Sequence, residues 1–141
     1  MEIIIKTENV INDIGGTFLQ ELQTEDPIPP RGKLVQSLNE ANARLRAIVG
    51  RRMEIDFRDS ADDTLAINNS IVYNFLVSTR RSANKAEPLA ALIHSYLVNS
   101  VLAKTYSTMR QADLAAQHEA QSVSDAQVIS QLINSKIPPI I

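Results

Sequence analysis

Residues 88–109 read PLAALIHSYLVNSVLAKTYSTM, and the fold class turns on this stretch. Leu89, Leu92, Ile93, Tyr96, Leu97, Ser100 and Val101 recur at helical spacing and fall on one broad face. A face that wide needs neighbours on several sides, so the spacing predicts a central helix. Pro88 marks its start, because proline lacks an amide proton and only the first turn tolerates that without loss.

Upstream, Leu34, Leu38, Ala41, Leu45 and Ile48 form a second apolar seam, widened by Val35 and Val49. Its helix is predicted to begin near Pro30 or Arg31 and to end at Gly50, a good C-terminal cap. Residues 24–30 read TEDPIPP and form a proline-rich linker, since prolines hold a chain extended. Before the linker, Val10, Ile11, Ile14, Phe18 and Leu22 share a helix face, with Thr7 as the expected N-cap. Gly15-Gly16 interrupts that face and predicts either a kink or break, or the close approach of another backbone. Residues Glu2–Lys6 are a short edge strand or a docking arm.

Between the second helix and Pro88 the period changes. Met53, Ile55 and Phe57 alternate with Glu54, Asp56 and Arg58, which predicts a short strand or hairpin near 51–58. A capping-rich loop, Asp59–Thr64, follows. Ile67, Ile71 and Phe75, with Val72 or Leu76, then predict a helix that frays into Ser78–Ala86.

Downstream, Arg110–Ser122 holds a single large aliphatic residue, Leu114, among alanine, glutamine and charge. Such a helix bridges solvent or meets another chain. Ser124-Asp125-Ala126-Gln127 fits a capping box and predicts a separate last helix carrying Val128, Ile129, Leu132 and Ile133. The tail Ile137-Pro138-Pro139-Ile140-Ile141 is apolar and held near extended geometry by its prolines. It is expected to dock on another chain, together with the face around Leu114; folding back on its own helices is the alternative. The expected fold is all-α: one domain over 1–141, with four to five helices in a bundle, extended N- and C-terminal arms and outlying helices over 110–136.

The 141 residues suit one domain with one core. Hydrophobic residues make up 44% and charged residues 21%, so the chain is neither wholly disordered nor fibrous. No apolar run approaches the ~18–20 residues of a membrane helix, and no membrane association is expected. The acidic start, MEIIIKTEN, does not read as a secretory signal. Without cysteine there are no disulfides and no thiol chemistry. A net charge of −2 gives no global basic footprint for nucleic acid, and an aromatic content of 4% leaves little to stack on bases.

Few groups are placed for chemistry. Glu54, Asp56, Asp59, Asp62 and Asp63 form an acidic cluster, but the spacing misses a calcium loop and helix capping accounts for the last of them. His94 borders the central helix's apolar face and reads as a satisfied boundary residue. His118 shows no second ligand nearby in sequence. No catalytic, cofactor-binding or metal-binding residue is expected, and the chain is not expected to be an enzyme. Arg44, Arg46, Arg51 and Arg52 cluster at the end of the second helix. They either offset its dipole or face a subunit boundary or DNA phosphate.

SLNEANARLRAIVGRRMEIDF (Ser37–Phe57) resembles the amphipathic helix, glycine stop and following arginine of small head–tail connector (adaptor) proteins of tailed bacteriophages. PLAALIHSYLVNSVLAKTY (Pro88–Tyr106) is similar to that family's later helix, which begins with proline and ends near tyrosine. The resemblance implies a ring-forming neck subunit of the virion that docks on a portal or tail protein through terminal segments, with DNA passing through the ring. The residues alone lead to a structural subunit with docking arms, or to a helical module that binds nucleic acid or a regulatory partner.

Overall fold

The computed structural model describes residues 2–23, 26–49, 70–75 and 79–134, with the backbone alone for 74, 79–86 and 134. In chain order these residues form β1 (Glu2–Lys6), α1 (Thr7–Glu21), α2 (Arg31–Val49), β2 (Ser70–Asn74), α3 (Thr79–Thr108) and α4 (Ala112–Asn134). The fold is mostly helical, a bundle carrying a small two-stranded antiparallel sheet.

The centre is α3. Leu89, Ile93, Tyr96, Leu97, Val98, Ser100, Val101, Leu102, Tyr106 and others between them are buried, so the helix is covered on most of its circumference. The helices α1, α2 and α4 and the strand β1 all pack on it, while α1 and α2 touch each other little. Helix α3 does not start at Pro88, which lies inside it; the helix extends ahead of the proline to Thr79. The proline leaves one carbonyl of the preceding turn without its amide donor, a cost the long helix absorbs.

Helix α2 begins at Arg31, where the Pro30 carbonyl accepts the Lys33 amide at 3.0 Å and the Leu34 amide at 3.3 Å. Its buried set is Leu34, Leu38, Ala41, Leu45 and Val49. Ile48, expected inward, is 51% exposed, because the inward seam continues from Leu45 to Val49 and turns Ile48 outward.

Helix α1 buries Val10, Ile11, Ile14 and Phe18 as its spacing predicts. Gly15 and Gly16 do not break it, and no backbone approaches them: a Cβ added at either would meet nothing within 4 Å. Thr7 is not the N-cap. Lys6 holds that position without a side-chain bond, and Thr7 is the fully buried first helical residue, its Oγ1 without a hydrogen-bond partner among the described residues.

Residues 70–74 form a strand, not the expected helix. Ile71 and Phe75 stand four apart and fit a helix, but Ile71, Tyr73 and Phe75 also fit a period of two. Antiparallel pairing with β1, from Glu2 opposite Asn74 to Lys6 opposite Ser70, decides between them. Ile3, Ile5, Ile71 and Tyr73 face the core, whereas Ile4 is 54% exposed.

At the C-terminal end of α3, Arg110 adopts a left-handed φ of 62°. The Gln111 amide donates to the Tyr106 carbonyl at 2.8 Å and the Arg110 amide to Ser107 at 3.2 Å. That pair of bonds closes one helix and sends the chain back into the next, at a position that usually holds glycine. Helix α4 is one continuous helix: Ser124–Gln127 does not cap a new one, and Asp125 is buried within it. Nor is it outlying, since it packs along α3 through Ser122, Asp125, Ala126, Ile129 and Ile133. The expectations for 51–58, for the acidic cluster and its capping loop, for Gly50 and for the tail 137–141 lie outside the described residues.

Replacing Leu97 with alanine is expected to cost about 2–5 kcal/mol in urea denaturation, the range for truncating a buried leucine. Leu19→Ala, at a side chain 78% exposed, is expected to stay near wild type. Equal effects at the two sites would contradict the central place of α3.

Candidate functional site

Of the four arginines, Arg44 and Arg46 lie among the described residues and point to different surroundings. Arg44 is exposed on α2. Arg46 points to the sheet: its Nε donates to Asn42 Oδ1 at 3.1 Å and its Nη2 to the Val72 carbonyl at 2.8 Å. Its guanidinium carbon sits 4.7 Å from the centre of the Tyr73 ring, and the Tyr73 hydroxyl also donates to Asn42 Oδ1. This is a tie between α2 and β2 that uses a planar cation over an aromatic face. Arg46 is therefore committed inside the fold rather than to phosphate. Arg51 and Arg52 lie outside the described residues, as do Ile137, Pro138, Pro139, Ile140 and Ile141. Leu114 is half-buried and packs against the chain's own core.

Two features remain as candidates. The first is an open groove of about 500 Å³ between α2 and α4, floored by Tyr96 and Ser100 of α3. Arg44 and Ile48 form one rim, and Glu119, Val123 and Gln127 line the other side. Ile48 and Val123 are 51% and 47% exposed, so the rim carries large apolar side chains in water.

The second is a polar chain that crosses α1, α3 and α4. Glu21 Oε1 accepts from the Tyr106 hydroxyl at 3.0 Å and lies 2.8 Å from His118 Nε2. The other ring nitrogen, Nδ1, lies 2.7 Å from Asn99 Oδ1. The Asn99 amide donates to the Ser95 carbonyl at 2.8 Å, which fixes its oxygen toward the histidine. Both ring nitrogens thus lie within hydrogen-bond reach of side-chain oxygens. Ser95 Oγ donates to Asp125 Oδ2 at 2.6 Å, and Gln121 Nε2 to Asp125 Oδ1 at 3.0 Å. Helices α1 and α3 are joined again where His94 meets Asp13, as a boundary histidine should be satisfied, and α2 and α3 where Lys104 meets Glu40.

Reading by apolar periodicity misses this chain. The inward face of α4 in its first half is polar, with His118, Ser122 and Asp125 at steps of four and three. Ser95 and Asn99, one turn apart on α3, face it. Those spacings were the available signal. Among the described residues, no group of three or more histidine, aspartate or glutamate side chains is gathered as a metal would need. No described helix is long and apolar enough to cross a membrane.

Burial, and then the hydrogen bond to Glu21 with its negative charge, push the Tyr106 phenol well above its ordinary value of 10.0. The native state keeps a proton that the unfolded chain releases, so this contribution is whole below about pH 10 and is lost as pH rises further. Tyr106→Phe is expected to lower stability by about 0.5–1.5 kcal/mol near neutrality through the lost bond. It should also flatten the alkaline fall in stability. Urea denaturation across alkaline pH measures both; an unchanged slope in the variant would contradict the assignment.

No protein-family model matches the sequence, and neither a curated protein nor a solved structure matches it.

Proposed function

We propose that this chain is a structural, non-enzymatic subunit of a multi-subunit assembly. The observation that carries the reading is the groove between α2 and α4, whose rim leaves Ile48 and Val123 in water above a floor of Tyr96 and Ser100. A solitary exposed isoleucine is ordinary; two large apolar residues flanking one concave surface favour a protein partner. Among assemblies, the head–tail connector ring of tailed phages is the specific reading. It is supported by the likeness of Ser37–Phe57 and Pro88–Tyr106, whose described parts supply α2 and the core of α3. On this reading the protein belongs to the virion and meets copies of itself and a portal or tail protein. The tail Ile137–Ile141 serves as a docking arm, and Arg44, Arg51 and Arg52 are left for non-specific DNA contact. Arg46 is not part of that contact.

Native mass spectrometry and light scattering on the full chain test the proposal. The expected result is a closed oligomer larger than a dimer that Ile48→Asp with Val123→Asp reduces, with circular dichroism unchanged because both side chains are exposed. A wild-type monomer that binds duplex DNA with an affinity falling steeply in salt would instead favour a nucleic-acid-binding module.

A further inference from the structure

The strand β1 reads Glu2-Ile3-Ile4-Ile5-Lys6, a sequence that is self-complementary when run antiparallel to itself. Glu2, Ile4 and Lys6 occupy its exposed face, while Ile3 and Ile5 are buried. Among the described residues β1 pairs only with β2, and no described strand lies along its other edge. Across that ladder Glu2 stands opposite Asn74 and Lys6 opposite Ser70, so neither charge meets an opposite charge there.

We infer that the edge of β1 away from β2 pairs with β1 of a second copy, antiparallel and centred on Ile4, to give a continuous four-stranded sheet. In that register Glu2 of each copy stands opposite Lys6 of the other, twice by symmetry. Ile4 packs on its own counterpart and loses the exposure it has alone. The register holds for either phase of the hydrogen-bond ladder, because a two-fold axis can pass through a bonded or a non-bonded pair. The choice of a second copy rests on this charge complementarity: a flat, β-branched edge with no proline invites a strand, and this edge supplies its own match. A contact of five residues a side is small against the ~800 Å² per partner of standard interfaces, so the dimer is weak and dissociates in the micromolar range. The contact is isologous and separate from any contact that closes a ring.

The test is charge reversal on the full chain, read by sedimentation velocity at low ionic strength. Glu2→Lys alone, or Lys6→Glu alone, sets like charges opposite each other twice and is expected to weaken the dimer about tenfold or more. Mixing the two single variants, or combining both reversals in one chain, restores opposite pairs and is expected to restore the dimer. Both side chains are exposed and face neutral residues in their own ladder, so circular dichroism should not change. A wild-type monomer at high concentration, as when another segment covers the edge, overturns the proposal. So does a dimer indifferent to either reversal. A larger oligomer that survives both reversals leaves the assembly reading standing and overturns this one.

Discussion

Between Leu89 and Tyr106, helix α3 turns buried side chains toward α1, α2, α4 and β1 at once, and the rest of the fold is arranged around that demand. A helix apolar on so much of its circumference cannot be satisfied by one neighbour. Each surrounding element brings a single apolar face: Val10, Ile14 and Phe18 from α1, Leu38 and Leu45 from α2, Ile3 and Ile5 from β1, Ile129 and Ile133 from α4. Helices α1 and α2 touch each other little, and α3 is the largest single neighbour of each. The core therefore behaves as one cluster instead of a set of helix pairs.

Polar contacts then decide which faces meet. The first half of α4 has little apolar surface to give, yet it lies along α3 because His118 and Asp125 are drawn into hydrogen bonds with Asn99 and Ser95 of that helix. Buried polar groups are costly unless paired, so the chain from Tyr106 through Glu21, His118 and Asn99 to Ser95 and Asp125 tolerates few alternative alignments. Hydrophobic burial sets the stability of the bundle, and this chain sets the register of α4 and the end of α1. Arg46 does the same between α2 and the sheet, where its planar cation lies over Tyr73.

Much of the helical frame was legible from spacing. The seams of α1, α2 and α3 are apolar repeats, and those repeats place Phe18, Leu38 and Leu97 inward, as found. Spacing failed where one pattern served two periods, at Ile71 and Phe75, and only the partner strand breaks that tie. It failed at Pro88, where a local preference for helix starts was outweighed by the helix continuing through it. It failed along the first half of α4, where the inward face is largely polar and a count of aliphatic residues reports emptiness. Of the candidate site, Arg44 was found at a groove rim, while Arg46 was drawn inward by contacts with Asn42, Val72 and Tyr73. Residues as distant in sequence as Glu21 and His118 cannot be seen meeting by local periodicity alone.

Native-state hydrogen exchange of the backbone amides tests the central place of α3 most directly. The amides of α3 from Ile93 to Tyr106 should exchange only through global unfolding, with protection equal to the stability measured by denaturant. Those of α1 and α2, which each rest mainly on one side of α3, should open at or below that free energy. If α3 exchanged more easily than α1 or α2, the fold would not depend on it, and its role as the organising helix would be contradicted.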